Sequence, residues 1–408
     1  MTVKKMNDVN AICNLKTGLI DARKFRSNQA TKRVSTLCLS NFQEVENSHS
    51  AGINTIDLDK VEGRYLLSGG ADGSIHIHDV LNLTGNVQYT CKSVCKIDRQ
   101  SNRHCHKYSV ECVQWYPLDT GMFLSSGMDK ILKMWDANAQ IPADVVIING
   151  KIYHHHMSPN ATQHNLVAVA STANQVFLAD LRSGSTTHEL RSHSSSVLTV
   201  KWSPMQEFQL ASGSMDNRLL MWDVRASRSC LFSMDQDNGR NHANVEKTTA
   251  HNGYVHGLSF TSDGLFLISV GTDSRMRLWN SETGRNEMIN YGKILMESKK
   301  GTRFDISSDT EPQMVFVPSQ GNILVYELTT GTKRAALLGH YNTVTCCAYN
   351  ENLHTLYSGS NDRNILVWAP EAAEKIREDP VNREVGFGSR SLMPRRTLME
   401  DAWSSDEG

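Results

Sequence analysis

The stretch Met215-Asp216-Asn217-Arg218-Leu219-Leu220-Met221-Trp222-Asp223 decides the fold, because close copies of it recur along the chain. Each copy has an Asp, then five residues, then a Trp, and a Ser stands four positions before the Asp. Three further copies keep this whole pattern and begin at Met128, Thr272 and Asn361. A fixed pattern that returns at regular intervals is the signature of a repeat architecture.

Three weaker copies fill the gaps between the four strong ones. The first has Asp72 followed by His78 in place of the Trp, and copies near 174–179 and 320–326 have lost both the Asp and the Trp. The Trp or its replacement therefore stands at positions 78, 135, 179, 222, 279, 326 and 368. These spacings fit seven units of about 40–45 residues. Two long insertions, 81–105 and 226–250, remain, and we expect each to form a loop at the edge of the assembled repeats.

A His also precedes the Asp by 22 or 23 residues in five of the units. The Asp can accept hydrogen bonds from a turn and from the His, and a buried Trp needs an acceptor such as the Ser hydroxyl. We expect structural tetrads rather than catalytic triads, because an active site needs no parallel copies. The predicted tetrad residues are His49, Ser68, Asp72, His106, Ser125, Asp129, Trp135, His193, Ser212, Asp216, Trp222, His251, Ser269, Asp273, Trp279, His340, Ser358, Asp362 and Trp368.

Residue type, position and interval together resemble the WD-repeat family over about residues 34–370. The resemblance implies an all-β fold, a seven-bladed β-propeller with four-stranded blades. Rings of this family usually close when an N-terminal strand completes the last blade. Residues 32–42, with strand character over Arg33–Ser40, are the predicted closing strand of blade 7, and 32–370 is the predicted propeller domain.

The segments outside the propeller are predicted to differ from it. Residues 1–31 are predicted as a short N-terminal helical arm, in which Leu15, Leu19, Ile20 and Phe25 are interspersed with basic residues. A disordered basic tail is the alternative. Residues 371–408 are predicted as a disordered acidic tail because they contain few apolar residues. Within this tail, the candidate phosphorylation sites are Ser404 and Ser405.

Bulk composition argues against several classes of function. The 42 basic and 43 acidic residues leave a formal net charge of −1, whereas sequence-independent DNA binding needs clustered Lys and Arg. We expect no membrane span, because no apolar run approaches about 18 residues, and no secretory signal. The nine cysteines follow no framework and are predicted to be buried free thiols of an intracellular protein.

No local motif predicts an enzyme, a metal site or a cofactor site. The run His154-His155-His156 is the most obvious metal candidate, but consecutive side chains on a strand alternate in direction and cannot converge on one ion. Neither a phosphate-binding Gly loop nor a nucleophile elbow occurs. We therefore expect a non-catalytic protein with no cofactor, no small-molecule substrate and no bound metal.

The tetrapeptide Trp222-Asp223-Val224-Arg225 is more informative, because the preceding unit contains the same Asp-x-Arg motif as Asp180-Leu181-Arg182. This pair resembles the WD-x-Arg box of substrate receptors for cullin–RING ubiquitin ligases. The resemblance implies binding to the ligase adaptor, the large subunit of the damaged-DNA-binding complex. An ordinary Asp–Arg pair within a blade is the alternative. The predicted adaptor-binding residues are Leu15, Leu19, Ile20, Phe25, Asp180, Arg182, Asp223 and Arg225.

Several segments that a WD repeat does not require make the resemblance more specific. Val61–Tyr65, Gln114–Pro117, His155–Pro159 and Glu400–Gly408 are similar to receptors that act in transcription-coupled nucleotide excision repair. That resemblance implies a nuclear location, with the Cockayne syndrome group B protein and RNA polymerase II as further partners. Two alternatives remain: a general WD-repeat scaffold with other partners, and a protein that binds DNA lesions directly. The neutral net charge argues against the second.

Overall fold

The computed structural model describes residues 13–19, 21–226, 230–239, 248–296 and 301–378. Most of its strands form seven antiparallel sheets, which follow one another along the chain around a central channel. Within a sheet the strands lie in chain order from the channel outwards, except that an N-terminal strand stands outermost in the last sheet, and this is the arrangement of a β-propeller. The prediction of a seven-bladed propeller is confirmed.

Short strands, mostly of five to seven residues, build the ring. In chain order they are β1 (Leu37–Leu39), β2 (Gln43–Val45), β3 (Ile53–Leu58), β4 (Tyr65–Gly70), β5 (Ile75–Asp79), β6 (Tyr89–Cys91), β7 (Ser93–Ile97), β8 (Val110–Trp115), β9 (Met122–Gly127), β10 (Ile131–Asp136), β11 (Ile141–Ile147), β12 (Ile152–Met157), β13 (Leu166–Ser171), β14 (Gln175–Asp180), β15 (Ser185–Arg191), β16 (Val197–Trp202), β17 (Gln209–Ser214), β18 (Leu219–Asp223), β19 (Cys230–Ser233), β20 (Val255–Phe260), β21 (Phe266–Gly271), β22 (Arg275–Asn280), β23 (Asp305–Ile306), β24 (Met314–Ser319), β25 (Asn322–Glu327), β26 (Lys333–Leu338), β27 (Val344–Asn350), β28 (Thr355–Ser360) and β29 (Ile365–Pro370). Helix α1 (Ala22–Ser35) precedes the strands and helix α2 (Glu371–Glu378) follows them.

The blades are not identical in their strand content. Blade 1 contains β3, β4, β5 and β7, blades 2 to 4 contain β8–β11, β12–β15 and β16–β19, blade 5 contains β20–β22, blade 6 contains β23–β26, and blade 7 contains β27–β29 with β1. In blade 5 a single bridge between Trp279 and Asn286 stands at the fourth position. The parallel pair of β2 and β6 lies outside the blades.

Ring closure occurs through the N-terminal strand, but the predicted boundary of that strand is wrong. β1 pairs with β29 in antiparallel register, with Leu37 opposite Pro370 and Leu39 opposite Trp368. Residues 32–35, predicted as strand, are the last turn of α1. Here Val34 is fully buried in the core beside Leu37, so burial on one helical face outweighs the strand propensity of a single Val.

The start of the C-terminal segment also corrects a prediction. Residues 371–378, predicted as belonging to a disordered tail, form α2, while 379–408, with Ser404 and Ser405, lie outside the described residues. Glu374 is buried and accepts hydrogen bonds from Ser40 Oγ at 2.8 Å and from the Asn41 N–H at 3.0 Å. These contacts attach α2 to the chain beyond the closing strand, which composition alone does not indicate.

The two long insertions were predicted as loops, but both contain strands. Within 81–105, β7 completes blade 1 and β6 pairs with β2, and within 226–250, β19 completes blade 4. The insertions therefore contain the outermost strands of their blades. Outer strands carry no tetrad residue, so the repeat pattern does not mark them.

A chain of hydrogen bonds joins the four tetrad side chains in blades 2, 4, 5 and 7. The Trp indole N–H donates to the Ser hydroxyl at 2.7–2.8 Å, the Ser Oγ lies 2.6–2.7 Å from the His Nε2, and the His Nδ1 lies 2.7–2.9 Å from the Asp carboxylate. Burial raises the pKa of Asp216, but the hydrogen bond and charge of His193 and the main-chain hydrogen bonds from Arg218 and Ser194 together outweigh burial and lower it. Each tetrad thus fixes the second and third strands of a blade to the loop that enters it.

Blade 1 departs from the predicted tetrad. His49 Nδ1 lies 2.8 Å from Ser74 Oγ, which in turn donates to Asp72 at 2.5 Å, whereas His49 and Asp72 are 3.8 Å apart. A serine hydroxyl therefore stands between the His and the Asp. His78 replaces the Trp and makes only a long contact of 3.4 Å with Ser68.

A second set of polar contacts, which the repeat pattern did not predict, joins neighbouring blades around the channel. Side chains on the innermost strands accept main-chain N–H groups from the next blade. The pairs are Asp57 with Trp115 at 2.8 Å, Gln114 with Met157 at 2.8 Å, His156 with Trp202 at 3.0 Å, and Asp305 with Tyr349 at 2.9 Å. His155, the middle residue of the run His154–His156, also makes a structural contact, because its Nδ1 lies 2.7 Å from Ser126 Oγ.

The buried histidines predict a measurable sensitivity to acid. Burial lowers the pKa of His256 to about 4, whereas an unfolded His titrates near 6.5. Between these two pKa values His256 is protonated in the unfolded chain but neutral in the folded chain. The free energy of unfolding is therefore undiminished by this group above about pH 6.5 and falls as the pH is lowered towards 4. At pH 5 this one group lowers the free energy of unfolding by about 2 kcal/mol.

We expect His256→Leu to lose less stability than the parent between pH 7 and pH 5, by about that amount, in urea denaturation at each pH. The exposed His188, changed to Leu, is the control and is expected to behave like the parent. Equal acid sensitivity in His256→Leu and the parent would show that His256 is not held neutral by burial.

Candidate partner-binding face

The two edges of the ring carry different residues. In an antiparallel blade the loop between the first and second strands and the turn after the third strand leave at the same edge. Asp180 and Asp223 end the third strands of blades 3 and 4, so both Asp-x-Arg sets lie at this edge. The tetrad Asp residues follow the second strands and lie at the other edge. We call the first edge the arm face and the second the tetrad face.

The N-terminal helix packs on the arm face. Thr31 Oγ1 donates to the Glu311 carbonyl at 3.1 Å and accepts the Glu311 N–H at 3.1 Å, and Glu311 lies between β23 and β24 of blade 6. Asp21 caps the helix by accepting the Arg23 N–H at 2.9 Å. On its inner side α1 buries Ala30 and Val34, so it is fixed to blades 6 and 7.

The predicted apolar residues of the arm are unevenly exposed. Leu19 is 76% exposed and Leu15 and Phe25 are half-buried, while Ile20 lies outside the described residues. Residues 13–16 are helical and Gly18, at a φ of 72°, ends that turn before α1 begins. Leu19 is therefore the apolar side chain of the arm that is most accessible to a partner.

Arg225 is held in a defined position on the arm face. Its Nε and Nη2 donate to the two oxygens of Asp223 at 3.1 and 2.8 Å, and its guanidinium stacks on the Phe208 ring at 4.6 Å. The hydrogen bonds from Arg225 lower the pKa of the Asp223 carboxyl. Although so constrained, the Arg225 side chain is still 59% exposed. A guanidinium that is fixed and accessible loses little entropy when it pairs with a partner.

Arg182 is arranged differently in the neighbouring blade. Its main-chain N–H donates to Asp180 at 2.9 Å, and among the described residues no ion pair joins its guanidinium to that carboxylate. The side chain is exposed. Both arginines therefore lie on the arm face, in a different sector of the ring from α1, but only Arg225 is preorganised. Phe208, on which the Arg225 guanidinium stacks, was not among the predicted residues, because it is not part of the repeat pattern.

The cysteine and metal-ligand predictions can be compared with the described portion of the chain. It contains no group of three or more His, Cys, Asp or Glu side chains placed to hold a metal ion. All nine cysteines are free, and Cys91, Cys95, Cys112, Cys346 and Cys347 are buried as predicted, whereas Cys13 is exposed. Within the same residues no helix is long and apolar enough to cross a membrane.

These features define a WD-repeat propeller, and comparison with known proteins agrees. The family model described as WD domain, G-beta repeat matches residues 36–79, 98–136, 184–223, 244–280 and 331–369. The matches end at the third strands of blades 1, 2, 4, 5 and 7 and omit the first three strands of blades 3 and 6, in which the Asp and Trp are lost. The chain belongs to the WD-repeat family.

Individual relatives refine this assignment. The chain is 32% identical to the WD repeat-containing protein ATCSA-1 of Arabidopsis thaliana, over 92% of this chain and 97% of that protein. It is also 27% identical to radiation-sensitive protein 28 of Saccharomyces cerevisiae, over 52% of this chain and 45% of that protein. A third relative, the histone acetyltransferase type B subunit 2 of Debaryomyces hansenii, is 26% identical over 58% of this chain and 55% of that protein. Of these three matches, the first spans nearly the whole length of both chains.

Proposed function

We propose that this chain is a counterpart of the Cockayne syndrome group A protein, a substrate receptor of a cullin–RING ubiquitin ligase in transcription-coupled nucleotide excision repair. The observation that carries the proposal is Arg225, fixed by Asp223 and Phe208 yet exposed on the face to which the N-terminal helix is attached. The nearly full-length likeness to a relative named ATCSA-1 supports it.

In this proposal the arm face binds the ligase adaptor, the large subunit of the damaged-DNA-binding complex. The exposed leucine of the arm supplies apolar area, and Arg225 and Arg182 supply charge-assisted hydrogen bonds to acidic groups. The tetrad face is then left free for substrates. The proposed substrates and partners there are the Cockayne syndrome group B protein and RNA polymerase II, in the nucleus.

The proposed mechanism is positioning. A ring whose blades are each fastened by a tetrad and joined to one another by contacts around the channel is stiff, so a substrate on one face is held at a defined place relative to the ligase on the other. Tethering raises the effective concentration of substrate lysines near the catalytic subunits. Ubiquitin transfer itself would take place on other subunits, and this chain would contribute no catalytic group.

Substitution of Arg225 tests the proposal. We expect Arg225→Ala to weaken adaptor binding by about tenfold, which is the cost of removing one well-placed interfacial arginine, and to leave the melting temperature nearly unchanged because surface pairs add little stability. The measurement is the dissociation constant for the purified adaptor subunit.

The matched control is Arg191→Ala. Arg191 also pairs with a carboxylate, Glu189 at 2.6 Å, but lies on the outermost strand of blade 3 rather than on the arm face. Equal affinities of the parent, Arg225→Ala and Arg191→Ala for the adaptor would refute a role for the Asp-x-Arg set. Absence of the adaptor when the chain is purified from nuclear extract would favour a general scaffold with other partners.

A further inference from the structure

The central channel contains a cavity of about 320 Å³ that opens onto the arm face. Its walls come from the innermost strands of several blades and from the loops that follow them. A second space of about 130 Å³ continues from it and shares Asp57, Lys60, His154, Lys201 and Arg303 with the first. The cavity is too enclosed for a folded domain and large enough for a small molecule.

Arg303 crosses this channel. It comes from the segment that leads into β23 in blade 6, and its Nη1 donates to the Val113 carbonyl of blade 2 at 2.9 Å. Its Nη2 is buried and forms no hydrogen bond with the residues that the structure describes. A buried guanidinium nitrogen without an acceptor is costly, since the desolvation of a charged donor is left without compensation.

Lys201 adds a second unpaired cation. It lies on the innermost strand of blade 4, and its ammonium makes no salt bridge with any described residue. Burial, and then the charges of Arg303 and Lys60, lower the pKa of Lys201 to about 8. The amine is therefore still mainly protonated at neutral pH, and the three cations lie close enough to repel one another.

The carboxylates around the channel are engaged elsewhere. Asp57 accepts the Trp115 N–H at 2.8 Å and Asp305 accepts the Tyr349 N–H at 2.9 Å, both in contacts between blades. At the mouth, Asp59 accepts the N–H groups of its own turn, from Val61 at 2.8 Å, and Glu351 accepts Ser308 Oγ at 2.5 Å. The charge of Asp57 raises the pKa of Lys201, but by less than burial and the neighbouring cations lower it.

We propose that the middle of the channel is a binding site for a small phosphate-bearing anion, with Arg303 and Lys201 as its principal contacts and Lys60 at the entrance. A phosphate group offers several acceptor oxygens to a guanidinium and an ammonium at once, and both ions are its preferred partners in proteins. Low-dielectric walls concentrate the field of the cations within the channel. Bound phosphate would supply the acceptor that Arg303 Nη2 lacks and would relieve the repulsion between the cations.

Calorimetric titration of the full chain with inorganic pyrophosphate tests this site. We expect binding to the parent and at least tenfold weaker binding to Lys201→Met, because a charge-assisted contact contributes about that factor. Lys60→Met, at an exposed position that does not endanger folding, is expected to weaken binding severalfold. The control Lys151→Met removes a lysine from the tetrad face and is expected to bind as the parent does.

Three results would overturn the proposal. These are no binding of pyrophosphate to the parent at millimolar concentration, equal binding to the parent and both channel variants, and binding of succinate as tight as that of pyrophosphate. The first would mean a channel filled only by water, and the last a general anion site. Melting temperatures of all variants are measured alongside, so that a folding defect in Lys201→Met leaves the decision to Lys60→Met.

Discussion

Replacement of Trp222 by Ala is expected to lower the free energy of unfolding by about 3–5 kcal/mol. Trp222 is completely buried between blades 3 and 4, in a cluster with Leu178, Leu190 and Leu220. The substitution leaves a cavity and also removes the indole donor from Ser212, which lies 2.7 Å away. Because both losses fall on one side chain, their costs add to the upper end of the usual range for a buried aromatic residue. Urea denaturation at neutral pH measures the change.

The control for this substitution is Leu118→Ala. Leu118 is 70% exposed, so truncating it removes little buried area and should change stability by less than about 0.5 kcal/mol. A loss below about 1 kcal/mol in Trp222→Ala would mean that the tetrad of blade 4 does not contribute as its geometry indicates.

The substitution Leu19→Asp is expected to weaken binding of the ligase adaptor by about 100-fold, with little change in the stability of the ring. Leu19 is exposed in the free chain, so a charge there costs nothing in water; buried at an interface, the same carboxylate would lose its solvation without a partner. A deletion of residues 1–20, which keeps the helix cap Asp21, should have at least as large an effect. It spares α1, whose Ala30 and Val34 belong to the core.

Ile147→Asp is the matched control, because Ile147 has the same 76% exposure as Leu19 but lies at the end of β11, near the tetrad face. We expect it to bind the adaptor as the parent does. The outcome that contradicts the role of the arm is an unchanged dissociation constant for Leu19→Asp, or an equal loss for Leu19→Asp and Ile147→Asp.

The ring could be predicted from sequence because the same residues both build and mark it. The Asp, Ser, His and Trp of each tetrad must stand at fixed intervals to meet, and so they leave a pattern that five blades share completely or partially. Blades 3 and 6 have lost the Asp and Trp, so these two blades could be predicted only from the spacing of the other units. The tetrad of blade 1 could not be predicted fully, because Ser74 stands between His49 and Asp72 and no other unit has a Ser at this position.

Other features could not be predicted because their partners are remote and unlike one another. Asp57, Gln114 and His156 occupy equivalent positions on neighbouring inner strands, yet share no residue type, so their common function as acceptors leaves no repeat signal. The same holds for Phe208 beneath Arg225 and for Glu374 beside Ser40, 334 residues away along the chain. Channel residues such as Arg303 are likewise brought together only by the closed ring.

The central claim is that the adaptor binds the arm face and leaves the tetrad face free. Lysine cross-linking of the purified complex tests this most directly, because the chain carries exposed lysines at both places. Lys16 and Lys24 lie on the arm, and Lys107, Lys130 and Lys151 lie on the tetrad face. We predict cross-links from Lys16 and Lys24 to the adaptor and none from the other three. Adaptor cross-links confined to Lys107, Lys130 and Lys151 would contradict the account.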